Sequence, residues 1–128
     1  MNSIDGLLDT NILIDFMRGF PPAVAWMNAN RNLRFVLHAL VRMEMISGTK
    51  NGSEQASVEK LLSLFPILFP NEDDARWAMQ QFEVVHLKSQ IEIIDCLLAA
   101  TSVRLNVAIY TRNVKHLRVV GANCIIPY

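Results

Sequence analysis

The sequence has no excess of charge of either sign: twelve Lys and Arg are balanced by twelve Asp and Glu over 128 residues. A protein held to nucleic acid by bulk charge is clearly basic, so that class is excluded. Any contact with nucleic acid has to come from a local basic patch or from bound cations. Cysteine is nearly absent. Cys96 and Cys124 form neither a disulfide framework nor a CxxC pair, a pattern that suits a reducing cytoplasm. No uninterrupted apolar stretch approaches the ~20 residues of a membrane helix. Residues Met1 to Gly6 carry no basic n-region and no apolar h-region, so a cytoplasmic location and no membrane partner are expected. Internal repeats, low-complexity tracts and linkers are also missing, and the length suits one domain over residues 1–128.

What is present is an apolar chain, 52% hydrophobic, with room for a core and for some apolar surface covered by a partner. Strand and helix signals alternate. Strands are expected at Ile4 to Leu8, Leu33 to Leu37, Phe65 to Pro70, Val107 to Tyr110 and Cys124 to Ile126. Between them, helices are expected from Asn11 to Arg18, from Pro21 to Asn30, from Ala39 to Ile46 with Gly48 closing it, and from Ser53 to Leu64. A further helix follows Asn71 as N-cap, with Asp73 and Asp74 explained by the helix dipole. Ser89 and Glu92 read as a capping box for a helix running to Leu105, and Asn113 to Leu117 as a helical turn. This order predicts an α/β fold with a mainly parallel sheet covered on both faces, its sites at the carboxyl ends of the strands.

Three carboxylates stand where apolar residues are expected. Asp9 ends the run Gly6-Leu7-Leu8, Glu44 lies between Met43 and Met45, and Asp95 interrupts Ile93 to Ala100. Taken singly, Asp9 also reads as a helix cap and Glu44 as a solvated residue near Arg42 or Lys50. Asp95 also reads as a protonated core acid or the partner of a distant Arg. Asp95 carries the most information: its helix is apolar nearly all round, and no Lys or Arg lies within one turn. A buried unpaired carboxylate costs several kcal/mol, so a distant cation or a metal ion is expected beside it. In a parallel sheet the three acids converge at one carboxyl edge, where they resist joint ionisation unless a hard divalent cation joins them. Oxygen ligands select Mg²⁺ or Mn²⁺. Asp15 and Arg18 read as a surface i,i+3 pair.

Leu7-Leu8-Asp9-Thr10-Asn11-Ile12-Leu13-Ile14-Asp15 resembles the opening motif of PIN domains, in particular VapC-like toxins. Val41 to Gly48, Ile94 to Thr101 and Tyr110 to Leu117 are similar to the family's second, third and fourth motifs, in order and spanning nearly the whole chain. The resemblance implies a three-layer α/β/α sandwich with a five-stranded, mainly parallel sheet. It implies an Mg²⁺- or Mn²⁺-dependent endoribonuclease, the toxin of a toxin–antitoxin pair, with a cognate antitoxin protein and a homodimeric assembly. The family often places a fourth acid two or five positions after the Thr; here Asn113 and His116 follow Thr111 at those positions. It also favours small hydroxyl residues six and three positions before the Glu, where this chain has His38 and Val41.

On this reading Asp9, Glu44 and Asp95 are the catalytic, metal-binding acids, with Asn113 or His116 as a further ligand. One metal ion is the expectation, since the fourth acid is missing. Thr10, Asn11, Thr111, Arg112 and Lys115 would meet the RNA. The metal would lower the pKa of a bound water for in-line attack on a phosphodiester. Trp26 and Trp77 have helical spacing that favours packing over base stacking. A member of the same family that binds RNA or a partner without cleaving is the alternative left open by Asn113 and His116. A receiver-like phosphoacceptor lacks its paired acids and Lys, and a haloacid-dehalogenase-like phosphatase lacks the second Asp of its nucleophile pair, since Asn11 stands there.

Overall fold

A computed structural model describes residues 3–128. Its elements in chain order are β1 (Gly6–Leu8), α1 (Thr10–Met17), α2 (Pro21–Ala29), β2 (Phe35–His38), α3 (Ala39–Ser47), α4 (Gly52–Leu62), β3 (Ile67–Leu68), α5 (Glu72–Val85), α6 (Ile93–Leu105), β4 (Ile109–Tyr110), α7 (Val114–Val119) and β5 (Cys124–Ile125). The five strands form one sheet in the order β3-β2-β1-β4-β5, and every pairing is parallel. The α/β class with a five-stranded parallel sheet is therefore as expected. Each strand is shorter than its sequence signal, and β2 is shifted one residue toward His38.

The strand order explains the layers. From β1 the chain steps outward to β2 and β3, then returns past β1 to β4 and β5. Parallel crossovers are right-handed, so stepping in opposite directions deposits helices on opposite faces. The helix contacts follow this division, with α1 against α2 and α3, α3 against α4, α5 against α6, and α6 against α7. The result is a three-layer α/β/α sandwich. The reversal also makes a topological switch point between β1 and β4, where a crevice opens at the carboxyl edge of an α/β sheet.

The core is the fully buried Leu7, Leu8, Leu37 and Ile109 of the sheet, packed by Ile12, Leu13, Val41, Leu62, Leu98 and Leu117 of the helices. Each such side chain contributes roughly 1.5–3 kcal/mol on burial. Trp26 packs with Phe35, Tyr110 and Tyr128 at ring distances of 5.1, 5.2 and 6.3 Å, and Trp77 lies against the core, so both follow the packing expectation. Gly6 is needed in this layer, since a Cβ there would strike the Tyr110 ring. Gly19, at φ 74°, turns the chain out of α1.

Three local readings are corrected. The helix carrying Asp95 starts at Ile93, not at the Ser89–Glu92 box. Glu92 is its N-cap, and Asp95, three residues on, accepts the Glu92 N–H at 3.2 Å. Gly48 ends α3 with φ −79°, a helical value that does not require glycine. Asp74 is not merely a dipole residue. It is 2% exposed and takes Arg104 through two bonds of 2.7 and 2.9 Å, besides the Thr101 hydroxyl at 2.9 Å. Burial pushes its carboxyl up, but the Arg104 fork, the Asn71 N–H and Thr101 outweigh that and hold it below the usual value.

Asp74→Ala strands the Arg104 charge and should cost about 3 kcal/mol, the low end for a buried pair because Arg104 is partly exposed. A fall in urea midpoint at unchanged slope is the expected result. A loss under 1 kcal/mol would mean the pair is not structural.

Candidate metal and RNA site

Asp9 follows the last residue of β1 and N-caps α1, accepting the Thr10 N–H at 2.8 Å. Its other oxygen accepts from the Thr111 hydroxyl at 2.8 Å and from Asn11 Nδ2 at 3.3 Å. Asn11 Nδ2 also donates to Thr111 Oγ1 at 3.1 Å, and Asn11 Oδ1 accepts the Arg112 N–H at 3.0 Å. Asp9 and Thr111 stand at the ends of β1 and β4, the two strands that flank the switch point. Asp9 is thus the helix cap that it reads as when taken singly, and it stands at the switch point as well.

Glu44, on α3, accepts from the Thr10 hydroxyl at 2.9 Å, and has no ion pair with Arg42 or Lys50. Asp95 enters from the first turn of α6. It is half-buried rather than enclosed, and Ile93 beside it is exposed, so the all-round apolar pattern overstates its burial. A cleft of about 300 Å³ is lined by Asp9, Thr10, Asn11, Glu44, Glu92, Asp95, Asn113 and His116. The three acids predicted to meet therefore share one cleft, with Asn113 and His116 beside them.

The electrostatics of the cleft are those of crowded anions. Burial raises Asp9, against hydrogen bonds from Thr111, Thr10 and Asn11 that lower it. Burial also raises Glu44, opposed by the Thr10 hydroxyl, and the charges of Asp9, Asp95 and Glu92 push it further. Asp95 is raised by burial and by Asp9 and Glu92, with the Glu92 N–H and His116 acting the other way. Glu92 was explained in sequence terms by capping alone. Its membership of the cleft follows from the i,i+3 spacing to Asp95 across the first turn of α6.

The fit of a divalent cation rests on the groups present. Among the described residues no three His, Cys, Asp or Glu side chains converge into a ready-made ligand cluster. The donor chemistry is nonetheless that of a hard cation: carboxylate oxygens, mutual repulsion, and Glu44 Oε2 and Asp95 Oδ1 free of any hydrogen bond from the described residues. His116 Nδ1 is buried without a hydrogen-bond partner. The residues fit such an ion in chemistry and charge.

The basic side chains divide. Arg112 Nη1 binds Asp15 at 2.7 Å and its guanidinium lies 5.8 Å from the Phe20 ring. Asp15 also accepts the Tyr128 hydroxyl at 2.6 Å, so its partners are Arg112 and Tyr128 rather than Arg18. Lys115 is exposed and lines a neighbouring cavity, not the acidic cleft.

Residues 6–122 match the PIN domain family. This chain belongs to the PIN-domain family. The PIN chain is 30% identical over 115 residues to "Ribonuclease VapC19" of Mycobacterium tuberculosis, spanning 86% of this sequence and 90% of that one. Its fold is shared with a DNA-bound VapBC from Salmonella typhimurium, at TM-score 0.80 and 20% identity over 96% and 98% of the two chains. It is shared also with FitAcB from Neisseria gonorrhoeae, at TM-score 0.79 and 24% identity over 95% and 97%.

The raised carboxyls give a test of the cleft. A group whose folded pKa lies above its unfolded value stabilises the fold at low pH and loses that contribution as pH rises through the folded pKa. Asp95→Asn removes one such group. In chelated buffer its melting temperature at pH 7 should equal or exceed wild type by about 1–3 °C. The gap should close as pH falls toward 3.8, the ordinary Asp value. A variant that melts well below wild type at pH 7 would mean the cleft does not strain Asp95.

Proposed function

We propose that this PIN domain is a divalent-metal-dependent endoribonuclease and the toxin of a toxin–antitoxin pair. The observation that carries the proposal is that Asp9, Glu44 and Asp95 line one cleft at the switch point, each with its carboxyl raised. The ribonuclease relative, matched over 90% of its own length, and the likeness to toxin–antitoxin complexes support the substrate and partner. Asp9, Glu44 and Asp95 are the metal-binding residues of this reading, with Asn113 and His116 as neutral further donors. Held by these residues, one Mg²⁺ or Mn²⁺ would supply Lewis-acid activation of water and offset charge on the reacting phosphate.

The chain's own groups do the positioning. Thr111 and Asn11 hold Asp9 in one orientation from two sides, while Thr10 holds Glu44. Among the described residues Glu44 and Asp95 each accept one bond, and that of Asp95, from the Glu92 N–H at 3.2 Å, is longer than the 2.9 Å bond from Thr10 to Glu44. Thr10 and Asn11 line the phosphate path, whereas Thr111, expected from the sequence to meet RNA, is fully buried and acts only by holding Asp9 and Asn11. Arg112 joins them once a phosphate competes with Asp15 for its guanidinium. A cognate antitoxin, a homodimer and a cytoplasmic setting complete the reading. No helix among the described residues is long and apolar enough to cross a membrane.

Asn113 and His116 favour one second reading, a domain that binds RNA without cutting it. Incubating the protein with single-stranded RNA and Mn²⁺ separates the two. The nuclease cleaves, EDTA stops it, and Asp95→Asn stays folded with cleavage reduced at least ~10²-fold, as expected for loss of a group acting on the transition state. Cleavage that survives both chelator and Asp95→Asn would overturn the metal mechanism. RNA binding with no Mn²⁺-induced thermal shift would favour the binding domain.

A further inference from the structure

Beside the acidic cleft lies a second cavity of about 590 Å³, lined by His86, Leu87, Lys88, Ser89, Lys115 and His116 among others. It has no acid in its lining, although the chain as a whole is neutral. His116 lines both cavities, so the two are neighbours. The two lysines of this cavity also differ from the three arginines that are held by acids. Arg76, Arg104 and Arg112 are held by Glu72, Asp74 and Asp15, whereas no ion pair among the described residues involves Lys88 or Lys115.

We infer that this cavity is a phosphate subsite of the substrate strand, holding RNA backbone phosphates next to the one at the acidic cleft, with Lys88 and Lys115 as the charges. The inference rests on the ribonuclease reading. Its physical need is plain: Asp9, Glu44, Glu92 and Asp95 repel an incoming phosphodiester, and one bound cation neutralises only part of that charge. Two unpaired lysines across His116 offset the remainder at the place where the strand leaves the cleft. The lysines come from different segments, Lys88 after α5 and Lys115 on α7, so the cavity spans the gap between them. Leu87 and Val119 add apolar walls for ribose or base faces. Lysines act as point charges on phosphate, so the subsite contributes affinity without reading sequence.

The test is RNA binding in EDTA, where cleavage plays no part. Fluorescence anisotropy of a short labelled oligouridylate is followed from about 50 to 200 mM salt for wild type, Lys88→Ala/Lys115→Ala and, as a control, Lys60→Ala on the remote α4. Each phosphate contact with single-stranded nucleic acid contributes about −0.7 to the slope of log K against log salt. The double variant should therefore flatten the slope by about 1.4 while the control keeps it. Both lysines are exposed, and matching melting temperatures check that the variant folds. An unchanged slope, or no salt-dependent binding by wild type, overturns the subsite. Lysine-dependent binding without Mn²⁺ cleavage would sustain the subsite and overturn the ribonuclease reading. Cleavage with unchanged binding in the double variant would do the reverse.

Discussion

Mutual repulsion among carboxylates at one sheet edge is the constraint to which the rest of the structure answers. Asp9, Glu44 and Asp95 arrive from β1, α3 and α6, which belong to different layers. Burial raises all three, and the charges of neighbouring acids add to it for Glu44 and Asp95, so the folded state bears an electrostatic cost at neutral pH. That cost is sustained because the neighbouring polar groups leave the acids little freedom. Thr10 alone touches two of them, donating its N–H to Asp9 and its hydroxyl to Glu44. Thr111 closes the far side from β4. The switch point supplies the gap, and the first turn after each strand supplies the donors.

The cations of a neutral chain are distributed around this constraint. Arg104 neutralises the buried Asp74 on the far side of α6, and Arg112 ties the start of the fourth motif to Asp15 and, through it, to Tyr128 at the C-terminus. Arg104 anchors Asp74 with two donors of its planar guanidinium, while Arg112 holds Asp15 with one. The lysines near the cleft keep their charge free. Such a partition lets a protein with no net charge hold itself together and still present positive potential in one place.

Much of the fold was legible because alternating apolar runs, prolines and caps agree with one another across the chain. Asp9 and Asp95 stood out by being polar inside apolar runs, and Glu44 by motif and position. Three features were hidden for physical reasons. Glu92 looked like half of a capping box because Ser89 lies three residues before it, yet Glu92 itself is the cap, and the helix begins one residue later. The Asp15 partners lie about a hundred residues away at Arg112 and Tyr128, and local i,i+3 spacing to Arg18 gave no hint of them. Asp74 sits in an acidic first turn with Glu72 and Asp73, and only burial against α6 sets it apart.

His38 shows how a departure from the family pattern is accommodated. It stands where the family favours a small hydroxyl, at the end of β2, fully buried. Its Nδ1 accepts the Leu40 N–H at 3.1 Å, so it still N-caps α3, as a hydroxyl would. That bond assigns the ring proton to Nε2, which donates to Thr101 Oγ1 at 3.1 Å; the Thr101 hydroxyl in turn donates to Asp74, held by Arg104. The ring therefore does more than a serine could: it joins α3 to α6. Glu44 lies six residues after His38 and Asp95 six before Thr101, so this bond ties together the two helices that carry those acids. Burial holds the imidazole down to about 4, against the opposing pull of Asp74, and keeps it neutral at physiological pH. Since its folded pKa is below the unfolded value, its contribution is present above pH 6.5 and is lost as pH falls toward 4. Protonation would abolish the cap, because a charged imidazole has no acceptor. The replacement is thus compatible with support of Glu44 as long as the ring stays dry, and the buried Thr101–Asp74–Arg104 chain gives its only ring proton a fixed acceptor.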